Sequence, residues 1–301
     1  MASRAGNRLI STMLSLTALI PLASISRASG INCPDNKEIL QTILRQNDAR
    51  IRNGGKSPET KVNFIQGRSL YMGRNSYLAV LGTDFFSHVH SLRTGDRWID
   101  IGAGPEMKAM RDYFYSSQVG VNGKATLVPI NVTDTITSGP EAIAAVAKFK
   151  ADSGAETHVG KTVEEYKKGE VAPGILVTDA VSAISYSPHL PEVLENVGNF
   201  FLVEKGHFDS VMFEEWANEP CISIINQFHQ KIALVDYLKS IQGMKLIRTE
   251  TKRFEHQASA LMFTLERTTG DVSAPPLELM DFKGGNTNGR HVPQITYRWI
   301  Q

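Results

Sequence analysis

Little in this chain is extreme, and most of what is scarce excludes something. Only Cys33 and Cys221 are cysteines among 301 residues, so no disulfide framework can form. In an oxidising compartment the two could pair and tie the N-terminal segment to the body of the fold; equally, one could be a surface thiol and the other a buried one. Neither sign of charge is in excess. The 32 Lys and Arg residues balance 31 Asp and Glu, for a net charge of +1, which gives no support to a nucleic-acid or membrane-surface partner. The eight histidines are scattered, and no pair has metal-ligand spacing in a suitable context, so no metal site is expected. Repeats and low-complexity segments are absent. The remainder is ordinary globular composition, 42% hydrophobic and 21% charged, enough for one full core with extensions.

The first thirty residues differ from the rest. Arg4 and Arg8 precede a mostly apolar run, Leu9 to Ile25, and Ser26-Arg27-Ala28 follows with small residues at both cleavage-reading positions. This pattern reads as a secretory signal peptide over 1–28, cut after Ala28. The run is broken by serines and threonines and falls short of the roughly 20 apolar residues a comfortable membrane span needs. The expected localisation is therefore exported, periplasmic or secreted; the alternative is an anchor formed by an uncleaved leader. No later segment could span a membrane as a helix.

Residues 29–96 read as an N-terminal helical segment. Ile39, Leu40, Ile43 and Leu44 give a short apolar stripe within Lys37 to Ile51. Ser76 to Leu92 reads as one or two helices interrupted near Gly82, aromatic-rich and able to act as a lid or simply to pack. From Arg97 onward, strand-like and helical stretches alternate. Strands are expected at 97–101, 125–132 (demoted towards an edge or a bulge by Pro129), 157–160, 175–179 and 207–213. Helices are expected from Pro105, over Glu141 to Lys150, and over the stripe Leu190, Val193, Leu194, Val197 and Phe201. A long helix is expected over Cys221 to Ile241, from Ile225, Phe228, Ile232, Val235 and Leu238 at helical spacing. Met244 to Thr251 and Ala260 to Arg267 then read as antiparallel neighbours. Residues 271–301 form a C-terminal extension that ends in a small added strand near Ile295 to Ile300. Five strand–helix alternations define an α/β fold, a doubly wound and mostly parallel sheet covered on both faces over 97–270.

The chemistry concentrates at Arg97-Trp98-Ile99-Asp100-Ile101-Gly102-Ala103-Gly104-Pro105-Glu106. A strand, a glycine turn and a helix start form a layout that binds nucleotide-like cofactors. A dinucleotide site would need a third glycine three residues after the second, and an acid about twenty residues further on. Met107 holds the first of those positions and no strand-ending acid holds the second, so a nicotinamide cofactor is disfavoured.

Asp100-Ile101-Gly102-Ala103-Gly104, an acid leading directly into a Gly-x-Gly turn, resembles the first motif of the class I S-adenosylmethionine-dependent methyltransferases. The stretch from Gly174 to Gly206 resembles that family's fourth-strand region: Ile175 to Asp179 as strand, Ala180 to Pro188 as active-site loop, Leu190 to Leu202 as helix. The resemblance covers Arg97 to Arg267 and implies a seven-stranded sheet ending in an antiparallel hairpin, the Rossmann-like methyltransferase fold. It also implies S-adenosylmethionine as cofactor. Gly102, Ala103 and Gly104 would admit its amino acid end, with Asp100 orienting the ammonium group. Asn131, or the nearby Asp134, would reach the ribose hydroxyls, and Lys161 or Thr162 would lie beside the adenine. Asp179 and Ala180 would line the pocket next to the methyl group.

Methyl transfer is an in-line displacement, and a general base is needed only where the acceptor carries a proton. Candidate catalytic groups are Asp179, Tyr186 and His189, although His189 also reads as a surface histidine near a helix start and Tyr186 as a packing residue. The expected function is S-adenosylmethionine-dependent methyl transfer to a small molecule or a protein side chain. The alternative is a non-catalytic binding protein that retains the fold.

Overall fold

The computed structural model describes residues 67–116, 123–136, 138–180, 184–216, 218–254, 258–283 and 294–300. The expected leader, the helix at 37–51 and Cys33 lie outside the described residues. Everything described falls in one of the chain's two compact units, Cys33–Gln301.

Helix α1, Tyr77–Ser91, starts at Ser76, whose Oγ accepts from the Ala79 amide at 3.2 Å. It is broken at Gly82 (φ 83°, ψ −173°), as the sequence suggests. A side chain at Gly82 would meet the Arg248 guanidinium at 2.9 Å, so glycine serves here for both conformation and space. After it come β1 (Arg97–Ile101), α2 (Lys108–Tyr115), β2 (Thr126–Asn131), α3 (Pro140–Ser153), β3 (His158–Val159), β4 (Gly174–Ala180), α4 (Leu190–Asn196) and β5 (Leu202–Trp216). Helix α4 runs on into a π turn at Val197–Phe201.

The remaining elements are β6 (Glu219–Pro220), β7 (Ile222–Ile225), β8 (Lys231–Ile232), α5 (Leu234–Lys239), β9 (Met244–Phe254), β10 (Ala258–Arg267), β11 (Leu277–Lys283) and β12 (Gln294–Trp299).

The central sheet runs β3-β2-β1-β4-β5-β10-β9, with the short β6 attached to β5. Strands β1 to β5 are parallel, and β10 is antiparallel to both of its neighbours. Counting only the strands of that path, the order is 3-2-1-4-5-7-6. Pro129 is tolerated in β2 because β3 pairs only with Ile130 and Asn131; beside Pro129 the strand has no partner on its outer side.

Alternation along the strands divides the core in two. Trp98, Leu127, Leu176 and Val211 face α1 and α2, together with Tyr77, Phe85, Met110 and Tyr113. Ile99, Val128, Val177 and Phe208 face the other way, against Val193, Leu194, Val197 and Phe201.

The helix expected over 221–241 is not formed. Its place is taken by β7, β8 and the six-residue α5, and the first two belong to a second sheet of order β11-β12-β7-β8. Asn226 decides against the helix. Its Oδ1 accepts from the amides of Phe228 and Gln230 at 2.9 and 3.0 Å, and His229 is left-handed (φ 59°), closing a hairpin turn. Phe228, assigned to the buried stripe, is 70% exposed, whereas Ile222 and Ile224 point inward with strand periodicity. The C-terminal extension completes this sheet through the parallel pairing of β12 with β7.

Candidate functional site

The carboxyl ends of β1, β2 and β4 meet where the winding of the sheet reverses, because β1 lies between β2 and β4. Open α/β sheets bind ligands in the crevice at that point. The glycine turn occupies it. Gly102 and Gly104 are both left-handed (φ 68° and 73°), a conformation costly for residues with a Cβ. The Gly102 amide donates to the Ile130 carbonyl at 2.7 Å, which fixes the turn against β2. Pro105 does not open the helix as expected. Met107 is left-handed (φ 49°) and α2 begins only at Lys108, so Pro105, Glu106 and Met107 belong to the turn.

Asn131, at the end of β2 and nearly buried, donates from Nδ2 to the Gly104 carbonyl at 3.4 Å. Its carboxamide thus lies against the glycine turn. Asp134 is exposed three residues later. The side chains of Lys161 and Thr162 are engaged within their own loop. Lys161 Nζ reaches both oxygens of Glu170 at 2.9 and 2.8 Å, and the Thr162 Oγ1 and amide both donate to Glu165 Oε2, at 3.4 and 2.9 Å.

Asp100 is fully buried beneath the turn. One carboxylate oxygen accepts from the Tyr77 hydroxyl and the other from the Thr178 hydroxyl, each at 2.6 Å. Thr178 in turn accepts from the Trp98 indole N–H at 2.9 Å. Burial pushes the Asp100 carboxyl up to about 7; the bonds from Thr178 and Tyr77 oppose the rise, and the nearby charge of Asp179 adds to it.

Asp179, at the end of β4, is also fully buried. Its Oδ2 accepts from the Ile184 amide at 3.3 Å and the Ser210 hydroxyl at 3.4 Å. It therefore holds the re-entry of the loop onto the sheet, with Ala180 buried beside it. Tyr186 lies in the short 3₁₀ turn Ile184–Tyr186, and its side chain is outside the described residues. His189 is half-buried at the start of α4, and its amide donates to Ser187 Oγ at 3.0 Å. The loop is held from two sides: Ser187 donates to Glu164, and Tyr297 of β12 donates to the Ser187 carbonyl at 2.9 Å.

Several residues that shape the site carry no motif. Glu106, an acid just past the turn, is buried; it accepts from Ser138 and pairs with Lys108 at 3.2 Å. Tyr77 and Thr178 support Asp100. A parallel arrangement one strand pair away joins His88 Nδ1 to Asp209 Oδ2 at 2.7 Å, with Thr264 donating to the other Asp209 oxygen at 2.6 Å. For Thr178, Asp209 and Thr264 the only signal in the sequence is a polar residue within an otherwise apolar strand; Glu106, Tyr77 and His88 lie outside the strands.

The turn fits the amino acid end of S-adenosylmethionine in that glycine puts no Cβ over its backbone, although the Gly102 amide and Gly104 carbonyl are themselves bonded to Ile130 and Asn131. Among the described residues no group of His, Cys, Asp or Glu could hold a metal ion.

No family model and no curated protein matches the sequence. Solved structures do resemble the fold. The [4+2]-cyclase SpnF matches at 12% identity and a TM-score of 0.46, over 78% of this chain and 96% of that one. Coclaurine N-methyltransferase bound to N-methylheliamine and SAH matches at 7% and 0.42, over 77% and 94%. The N-methyltransferase NodS from Bradyrhizobium japonicum WM9, in complex with S-adenosyl-l-homocysteine, matches at 9% and 0.38, over 63% and 88%. These are likenesses of fold. The mostly parallel sheet, with its 3-2-1-4-5-7-6 order and antiparallel seventh strand, is itself the Rossmann-like methyltransferase fold.

Proposed function

We propose that the protein is an exported methyltransferase that uses S-adenosylmethionine and acts on a small molecule or a protein side chain. One observation carries the reading: the left-handed glycine turn after β1 and the strand-end Asp179 of β4 stand side by side at the reversal of the sheet. Gly102, Ala103 and Gly104 hold the amino acid end, and Asn131 takes the ribose hydroxyls. Asp134, Lys161 and Thr162 form the outer rim. Ala180 and the loop to His189 border the reacting carbon. Asp100, buried with both oxygens engaged, anchors the floor of the turn instead of touching the ligand.

When bound, S-adenosylmethionine supplies a methyl carbon already activated by its sulfonium. The chain then has to align the acceptor and keep the pocket dry. Asp179 fixes the loop that does so, through the Ile184 amide. Where the acceptor carries a proton, His189 or Tyr186 takes it.

Binding of S-adenosylhomocysteine by the folded protein tests the cofactor half of this reading. Export rests on the leader-like segment 1–28. Cell fractionation with mass determination of the mature N-terminus tests it; cytoplasmic protein beginning at Met1 would refute it. The engagement of Lys161 and Thr162 within their own loop favours the second reading, a binding protein that keeps the fold without the activity.

A further inference from the structure

Two imidazoles meet where the second half of α1 lies on the sheet. The break at Gly82 divides α1, and beyond it Phe85 and Val89 are buried. Alternation along β5 puts His207 and Asp209 on the face that this half covers, with Glu266 and Thr264 opposite them on β10. His88 of α1 stacks on His207, with ring centroids 4.2 Å apart and planes 24° from parallel. The two side chains are 20% and 26% exposed, so protons from solvent reach both rings.

The rings are unequally served. His88 Nδ1 lies 2.7 Å from Asp209 Oδ2, and the Thr264 hydroxyl fixes the other Asp209 oxygen at 2.6 Å. His207 Nε2 faces Glu266 at 3.5 Å, a longer and weaker contact. Asp84 of α1 and Arg248 of β9 also act on His88. They pair with each other at 3.2 Å, and Arg248 holds Glu250 at 2.6 Å. The first proton therefore goes to His88, and a second, on His207, would stand against it across the 4.2 Å stack. The directions of the two pKa values agree with this order. Burial lowers that of His88, but the bond to Asp209 and its charge outweigh burial and raise it; burial and then the charge of His88 push His207 down.

We propose that the His88–His207 pair is a pH-sensitive clamp, which holds the second half of α1 most tightly with one proton on the pair and loosens when that proton leaves or a second arrives. A raised histidine adds stability that is lost as pH rises through its folded value, and a lowered one loses stability as pH falls through its own. The clamp is thus strongest near 6.5, the ordinary histidine value, and weakens on both sides. Asp100 cannot imitate the acid side, because its raised carboxyl stabilises the whole fold as pH falls. The clamp is independent of any methyl transfer.

Hydrogen exchange of the full chain at pH 5, 6.5 and 8, corrected for intrinsic rates, reads local opening. Amides in residues 83–92 should open about twofold more often at pH 5 and at pH 8 than at pH 6.5; about threefold is the most that a tenfold change in each ring's proton affinity produces. Amides of β1 should show no such minimum. His207→Gln should abolish the acid limb, so that opening falls steadily towards low pH, and His88→Gln should abolish the alkaline limb. A flat profile in the parent protein, an acid limb that survives His207→Gln, or the same minimum in β1 would each overturn the proposal. Should either variant fail to fold, proton NMR titration of the two rings in the parent protein decides. His88 titrating above 6.5 and His207 below it supports the clamp; both at the ordinary value, or the reverse order, overturns it.

Discussion

The Tyr77 hydroxyl donates to the buried Asp100 carboxylate at 2.6 Å, joining the helix that covers the sheet to the strand that carries the glycine turn. The Tyr77 ring also packs edge-on against Trp98 of the same strand. The contact makes α1 part of the site's foundation.

Removing that donor has a definite cost. Tyr77→Phe leaves a buried carboxylate oxygen without its partner, a loss of about 1–3 kcal/mol. The loss should be larger at pH 8, where Asp100 is ionised, than at pH 5, where it is protonated. Urea unfolding of both proteins at the two pH values measures it. Equal stabilities would mean the bond is not made.

Asp100 should also make stability depend on pH. Its folded carboxyl titrates near 7 against an ordinary value of 3.8, so between about pH 4 and 7 the folded chain holds a proton that the unfolded chain has released. Stability therefore falls as pH rises through that window, by up to about 4 kcal/mol for a three-unit rise. Asp100→Asn cannot ionise. The stability difference between parent and variant, followed by urea unfolding from pH 4 to 8, should shift steadily in the variant's favour as pH rises. A difference independent of pH would contradict the assignment.

His88 acts in the same direction, at higher pH and for a different reason. Burial lowers its affinity for a proton, but the bond to Asp209 and the charges of Asp209 and Asp84 outweigh that, and its pKa is raised. A raised histidine adds stability that is fully present below its unfolded pKa and is lost as pH rises through the folded one. His88→Gln should therefore cost more at pH 5.5 than at pH 8.5, by about 1–2 kcal/mol. Thermal melts at the two pH values would reveal it. His207, stacked on His88 at 4.2 Å, is pushed down by burial and by its neighbour's charge, so its relief in the variant offsets part of the effect without reversing it.

Tyr297 connects the second sheet to the loop after β4 through its bond to the Ser187 carbonyl. Tyr297→Phe should raise hydrogen exchange of the amides between Ile184 and His189, with little change in β1 or β2. Unaltered exchange in the loop would show that the second sheet does not hold it.

The central sheet was legible because its inner strands are buried on both faces and read as apolar runs, from Trp98-Ile99 through Leu176-Val177 to Ala260–Leu265 of β10. The glycine turn was legible because few residues other than glycine adopt its backbone. The second sheet was not. Ile225, Ile232 and Val235 fit a helix and a strand pair equally well, and the choice fell to Asn226 bonding to its own backbone. The support of Asp100 was also hidden, since Tyr77 and Asp100 are 23 residues apart and only the folded sheet brings them together. Pro105 pointed to an early helix start; the left-handed Met107 delays it.

Calorimetric titration of the protein with S-adenosylmethionine and S-adenosylhomocysteine tests the central claim most directly, with Gly102→Val as the control. Valine cannot adopt the φ of 68° that the turn requires without strain. The expected result is saturable binding of both ligands by the parent protein and loss of both in the variant. A folded parent protein that binds neither would contradict the methyltransferase reading.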